Sequence, residues 1–412
     1  MPRLNAGRIV IAGINYWPEP TGIGPYTTEL AEYLAARAQS VEVLTGLPSY
    51  PEWTVPPAYR RGMRFHERRG GVAITRVKHY VPSTQDVARR GLYELSFVAN
   101  ALAAPTTTRP NLVIGVSPAL GGAVAAAALA ARTKARLVVI VQDLVGAAAD
   151  QSGIGGGRGV AGTVSRMEGA VLRRACAVVV VSDAFRARLD HYGVISSKVH
   201  VVPNWSRVGR PPGDRAAMRA RLGWGPDVTI ALHAGNMGLK QGLENVIAAA
   251  RLTQADPNLR WVLMGEGSQR SQLWRAAAGM PNLQFLPLCQ AADYPAVLDA
   301  ADILLLNERG SVHEMSLPSK LTSYFASGRP VAAAVRSDGA AATELARAGA
   351  PAPVPPGEPA QLVRLVRELA AIADRSAAYG RQARAYADRN LGHEQAMLRM
   401  EAVLCGRATV AI

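Results

Sequence analysis

The chain has 412 residues, 49% hydrophobic and 19% charged, a globular profile too long for one core. Its formal net charge of +15 favours an anionic partner: a nucleotide, a polyphosphate, nucleic acid or a membrane surface. Cys176, Cys289 and Cys405 are too scattered for a metal site or a disulfide framework, which points to a reducing cytosol.

In chain order, residues 8–13 (RIVIAG) read as a buried first strand. No signal peptide is expected ahead of it. The loop 14–24 leads into a helix over 25–37, with Pro25 suited to a first helical turn. A second strand spans 41–45. The Pro-rich excursion 46–59 carries Tyr50, Trp53 and Tyr59, which argue against disorder. Residues 63–77 alternate like an antiparallel hairpin turning at Gly70-Gly71, and 88–104 are helical. The most apolar stretch, 112–130, is broken by Ser117-Pro118 and Gly121-Gly122, so it reads as strand then helix rather than a membrane span. Further strands fall at 137–142, 177–181 and 199–202, with Ser182 or Asp183 capping a helix and the glycines of 153–159 forming a hinge or lid.

A polar, Pro/Gly-rich linker follows, and then a second series with strands at 229–234, 259–264, 283–285, 303–306 and 331–334. Helices close the chain at 359–374, 376–389 and 393–404. The alternation implies α/β architecture with doubly wound parallel sheets. The expected division is residues 1–206, a linker at 207–215, a second domain at 216–388 and a last helix within 389–412.

The stretch from Thr229 to Ala250 passes from a β-branched strand through Gly235, Gly238 and Gly242 to an Ala-rich helix, with Lys240 expected at the helix start. Such a unit aims backbone N–H groups and a helix N-terminus at one point, and a lysine adds a full charge. It reads as a phosphate site or as a plain βα turn. Gly22-Ile23-Gly24 fails as a dinucleotide motif, because Thr27 takes the third glycine position and Thr45 ends the second strand. Asp143 follows a strand at its C-terminal edge; it orients an acceptor hydroxyl, acts as a base, or caps a helix. Glu19 is the rival carboxylate. Asp299 and Asp302 make no Asp-x-Asp metal motif, so no metal and no cofactor are expected. The basic segment Arg60, Arg61, Arg64, Arg68, Arg69, Arg76, Lys78, Arg89 and Arg90 carries no nucleic-acid motif. It reads as a solvated surface or as a face toward anionic lipid with Trp53 and Tyr59 at the interface.

Laid side by side, residues 15–31, 47–53, 201–205, 234–243, 317–331 and 354–359 resemble family 4 glycosyltransferases of the GT-B fold, in the bacterial polysaccharide branch. The resemblance covers nearly the whole chain. It implies two Rossmann-like domains facing a cleft, a nucleotide diphosphate sugar donor held mainly by the second, and transfer with retention. The final helix is implied to cross back to the first domain. It assigns Lys240 to the donor phosphate, with Gly22, Ile23, Gly24, Gly235 and Asn236 nearby. Gly265-Glu266-Gly267 and Leu286-Pro287 would border the base. Ser319, Lys320 and Ser323 would hold sugar or phosphate, and Tyr16, Trp17 and Trp53 would meet a lipid-linked or oligosaccharide acceptor. The family's paired carboxylates fall here on Met315 and Ser323, with Glu314 adjacent, and no arginine accompanies Lys240 in its loop. These departures keep two other readings open, a nucleotide-sugar-binding scaffold and a sugar-nucleotide epimerase. A cytoplasmic enzyme peripheral to the membrane, without nucleic acid, is the expected setting.

Overall fold

The computed structural model describes residues 7–38, 40–84, 86–106, 109–144, 157–209, 214–311 and 319–407. The expected hinge at 153–156, linker positions 210–213 and the carboxyl-motif positions 314–316 lie outside the described residues. The chain divides into two compact units. One runs to Pro203 and resumes at Met397; the other spans Asn204–Ala396.

The first unit contains β1 (Arg8–Ala12), α1 (Gly24–Ala35), β2 (Ser40–Gly46), β3 (Arg64–Arg69), β4 (Val72–Val77), α2 (Val87–Leu102), β5 (Leu112–Ser117), α3 (Leu120–Thr133), β6 (Arg136–Val141), α4 (Gly157–Arg174), β7 (Ala177–Val180), α5 (Arg186–His191) and β8 (Val199–Val201). Gly157 and Gly159, read as hinge residues, therefore sit in a helix. The sheet order is β3-β4-β2-β1-β5-β6-β7-β8, and β3 with β4 is its antiparallel pair. The central strands are unbroken apolar runs, as a parallel sheet covered on both faces requires. β3 (RFHERR) is one of the two edge strands, and its exposed charges discourage further pairing.

The second unit contains α6 (Arg215–Leu222), β9 (Thr229–Ala234), α7 (Glu244–Leu252), β10 (Leu259–Met264), α8 (Arg270–Ala276), β11 (Leu283–Leu286), α9 (Tyr294–Ala300), β12 (Ile303–Asn307), α10 (Ser319–Ser327), β13 (Val331–Ala334), α11 (Ala340–Arg347), α12 (Pro359–Ala371) and α13 (Ala373–Asn390). Its sheet order is β11-β10-β9-β12-β13, parallel throughout. Asp302, just ahead of β12, accepts from the Ile230 N–H at 2.8 Å and from Arg219 at 3.0 Å, fastening α6 to the sheet. The last helix, α14 (His393–Leu404), ends in the first unit. There Glu401 accepts from the Tyr33 hydroxyl at 2.8 Å, and Arg136 donates to the Leu404 carbonyl at 3.1 Å.

In each sheet one strand has its sequence successors on opposite sides. β1 lies between β2 and β5, and β9 lies between β10 and β12. Loops leaving such strands part from one another, and ligands of open α/β sheets bind in the resulting crevice. Both glycine loops singled out in the sequence leave these two strands.

Candidate functional site

In the second unit, α10 sets the geometry. Tyr324 is fully buried, and its hydroxyl accepts from the Ala234 N–H at 2.9 Å. Lys320 lies one helical turn earlier on the same face. It is thereby laid beside the next residue of the β9 loop: a Cβ built on Gly235 would stand 3.8 Å from Lys320 Cε and 4.0 Å from its Nζ. That ammonium nitrogen is shielded from solvent. Beneath it is His233, fully buried and 3.4 Å from the Asn236 carbonyl. Burial first, and the Lys320 charge second, hold His233 well below the ordinary imidazole range, so the neutral ring leaves the lysine as the local cation.

The loop itself is braced from two sides. Gly235 (φ 137°) donates to the Met264 carbonyl at 2.9 Å, and Met237 donates to the Glu266 carbonyl at 2.7 Å. A Cβ on Gly265 would fall 1.9 Å from the Gly235 oxygen, and one on Gly267 would fall 2.5 Å from Asn236 Oδ1. These two glycines are thus required by the close passage of the β9 and β10 loops; the sequence had assigned them to the nucleotide base. The Glu266 side chain is exposed and 3.5 Å from Arg270. Leu286 accepts from the Gly265 N–H at 3.1 Å, and Pro287 is exposed beyond it. From the other side, Asn307 at the end of β12 donates to the carbonyls of Gln241 (2.7 Å) and Gly242 (2.8 Å).

Lys240 is not at the start of a helix. It sits in a 3-10 turn, Leu239–Gln241, and Gly242 (φ 53°) separates it from α7. Its side chain is exposed, while its carbonyl accepts from the Arg309 N–H at 2.9 Å. Arg309 is therefore an arginine brought to this loop from a distant segment, with its guanidinium on Glu244. Sequence reasoning missed it, as it missed His233, Asn307 and Tyr324, because those partners are remote along the chain. Ser319 opens α10 and is exposed; Ser323 is half-buried on the same helix.

In the first unit, α1 begins at Gly24 just past Gly22 (φ 70°) and Ile23. Tyr16 is 1% exposed, and burial raises its phenol pKa. Glu19 is 5% exposed, and three N–H donors already engage it, from Asn15, Ser49 and Tyr50. Burial raises its pKa, and those bonds with the charge of Arg76 pull the other way. These bonds tie the Glu19 carboxylate into the loops around it. Trp17 is half-buried, with the guanidinium groups of Arg69 and Arg76 4.9 and 5.8 Å from its ring centroid. Trp53 is half-buried against Tyr50 and Tyr93. Asp143 is half-buried, and its Oδ1 accepts from the Leu144 N–H at 2.9 Å.

His79, after β4, faces the same loops. Its Nδ1 accepts from the Leu47 N–H at 3.3 Å, and burial lowers its pKa from 6.5 to about 4. The unfolded chain takes up this proton as pH falls through 6.5, and the folded chain does not. Stability is therefore full above 6.5 and declines below it, by roughly 1.4 kcal/mol at pH 5.5. The raised carboxyls of Glu19 and Glu94 act in the opposite sense, and the lowered imidazoles of His200 and His233 act in the same sense, so the reading is the difference between the wild type and a His79 variant over the window pH 7.5–5.5. Denaturation curves across it are expected to show the decline in the wild type and a flatter profile in His79→Gln. Parallel profiles would refute the assignment.

Among solved structures, the sucrose-phosphate synthase of Thermosynechococcus elongatus superimposes with a TM-score of 0.72 at 17% identity, covering 96% of this chain and 97% of its own. Anabaena Alr3699/HepE, solved in complex with UDP, gives 0.71 at 16% identity over 97% and 100%. Two parallel-sheet α/β units of this kind define the GT-B class of glycosyltransferases. Residues 21–205 match the glycosyl transferase 4-like domain, and residues 229–371 match glycosyl transferases group 1. The putative colanic acid biosynthesis glycosyl transferase WcaI of Escherichia coli (strain K12) is 35% identical over 333 residues, 78% of this chain and 81% of its own. The chain belongs to the family 4 glycosyltransferases.

Proposed function

We propose that this glycosyltransferase moves a sugar, with retention, from a nucleoside diphosphate sugar bound by the second unit to a lipid-linked or oligosaccharide acceptor bound by the first, in cell-envelope polysaccharide synthesis. The observation that carries the donor half is the shielded Lys320 ammonium beside Gly235 at the end of β9. When the bond from the sugar C1 to the β-phosphate breaks, its electron pair and a negative charge pass to the departing oxygen. A cation fixed there stabilises the transition state more than the ground state. The acceptor hydroxyl attacks C1 on the same face, and the departing oxygen takes its proton. In this reading the leaving charge falls to Lys320, with Lys240 at the rim, and no cofactor is used. HepE has been solved with UDP and with UDP-glucose, and the name of WcaI supports the polysaccharide setting. The test is a panel of UDP- and GDP-sugars with and without acceptor, following nucleoside diphosphate release and the anomer formed. Diphosphate binding without turnover would favour a scaffold, and donor interconversion without acceptor an epimerase.

A lipid-linked acceptor requires contact with a membrane surface. No helix among the described residues is long and apolar enough to cross one. Trp53 and Tyr59, placed at that interface by the sequence, are half-buried, and Arg76 is buried outright. Near that basic segment, Leu92 (50%) and Leu95 (66%) on α2 are among the exposed apolar residues. Met63 and Tyr80 are exposed alongside, where the Tyr80 N–H donates to Ser96 at 2.9 Å and Arg64 donates to the Ala103 carbonyl at 2.7 Å. Arg64, Lys78 and Arg89 rim this face. Each basic residue near an anionic surface contributes about 1 kcal/mol, and each leucine about 1.5–3 kcal/mol if fully buried. The double change Leu92→Glu with Leu95→Glu is expected to weaken sedimentation with phosphatidylglycerol vesicles at least about tenfold, at an unchanged thermal midpoint. Equal sedimentation would refute the contact.

A further inference from the structure

The transfer chemistry leaves the buried carboxylate of Glu19 unused. Glu19 Oε1 accepts from the backbone N–H groups of Ser49 and Tyr50, both at 3.0 Å, and Oε2 accepts from Asn15 Nδ2 at 2.9 Å. Its own N–H donates to the Tyr16 carbonyl at 3.2 Å, and a Cβ on Gly24 would stand 3.2 Å from Glu19 Cβ. The loop after β1, the start of α1 and the loop after β2 are therefore fastened at one side chain.

What this fastening presents is aromatic. A Cβ on Gly22 would meet the Tyr50 ring at 3.3 Å, so Tyr50 lies directly over the glycine turn. The Tyr50 and Trp53 rings stand edge to face at 6.1 Å and 88°. Trp53 takes a left-handed backbone (φ 53°), and the Thr54 N–H closes the turn onto the Ser49 carbonyl at 3.3 Å. A left-handed tryptophan persists only where its surroundings over-determine it. Tyr93 packs on Trp53 from below at 5.5 Å, and the Arg90 guanidinium lies 5.5 Å from the Trp53 centroid. Two polar atoms of this cluster, Ser49 Oγ (residue 4% exposed) and His79 Nε2, are buried and have no hydrogen-bond partner among the described residues. Buried polar atoms are normally satisfied, so a hydroxyl-bearing ligand has bonds to make here. Rigid aromatic rings beside such atoms suit a pyranose, which offers a flat C–H face and a rim of hydroxyls.

We propose that Glu19 is a positioning residue that presents Tyr50 and Trp53 as a stacking surface for a pyranose ring of the acceptor, with the Ser49 hydroxyl beside it. The proposal rests on the assignment of the acceptor to the first unit. Its test uses the full chain, octyl β-glucoside and octyl β-galactoside below their micelle concentrations as probes, and UDP and GDP as a separate titration. Glu19→Ala and Trp53→Ala are each expected to weaken binding of the better glycoside at least about tenfold, and Glu19→Gln, whose amide oxygen still accepts both N–H groups, by less than about threefold. Backbone amide exchange at Ser49 and Tyr50 is expected to accelerate in Glu19→Ala and to stay near the wild-type rate in Glu19→Gln. Unchanged glycoside affinity in Glu19→Ala, an equal loss in Glu19→Gln, or no binding of either glycoside to the wild type would each overturn the proposal. A wild type that binds glycoside but neither nucleotide would overturn the donor assignment instead, and leave this one standing.

Discussion

Lys320→Ala is expected to lower turnover of the nucleoside diphosphate sugar by about 10²–10³, the range seen when one fixed donor to a developing oxyanion is lost. The effect should fall on kcat more than on KM, because the interaction strengthens as charge builds on the departing phosphate. Lys240→Ala is expected to cost less than about tenfold. Its side chain is exposed, and a charge in water interacts several-fold more weakly than one held away from it. Steady-state kinetics on the donor that proves active reads both. An order in which Lys240→Ala is the more damaging would reverse the ranking of the two cations.

Arg76→Ala is expected to lower the stability of the first unit by about 3–5 kcal/mol, as when one partner of a buried ion pair is removed. The Arg76 side chain is 1% exposed, and its Nε lies 2.9 Å from Glu67 Oε2. Its other nitrogens donate to the Gly46 carbonyl and to the Trp17 carbonyl. Alanine leaves the carboxylate and both carbonyls without that donor and opens a hole between β4 and the Trp17 loop. Urea denaturation with comparison of m-values measures the loss. The double change Arg76→Met with Glu67→Leu is expected to recover part of it, since the unpaired charge is then gone as well. A loss under about 1 kcal/mol in Arg76→Ala would show that water reaches the site and replaces the guanidinium.

The strands were legible because a parallel sheet covered on both faces demands unbroken apolar runs. β9 through β13 fall within a residue or so of the expected bounds. The hairpin at Gly70-Gly71 was equally plain, since β3 alternates and two positive-φ glycines turn it. The glycine loops were legible as loops, though not for all their reasons. Gly265 and Gly267 read as ligand glycines, yet a neighbouring backbone occupies the space a Cβ would need. Lys240 read as the principal cation because it follows the glycines in sequence. The approach of Lys320 to Gly235 depends on Tyr324 bonding to Ala234, 90 positions away, and no local pattern encodes that. Tyr16 read as an acceptor contact, Glu19 as a candidate base and Arg76 as part of a basic face. Their burial follows from three loops converging at one sheet end, a tertiary fact. The family resemblance supplied the architecture, and the packing shows what each individual side chain touches.

Calorimetric titration of UDP and GDP into the wild type, Lys320→Ala and Lys240→Ala tests the phosphate site most directly. One of the two diphosphates is expected to bind the wild type, and Lys320→Ala to weaken it by about 10-fold or more while Lys240→Ala changes it less. Undiminished diphosphate affinity in Lys320→Ala would contradict the account.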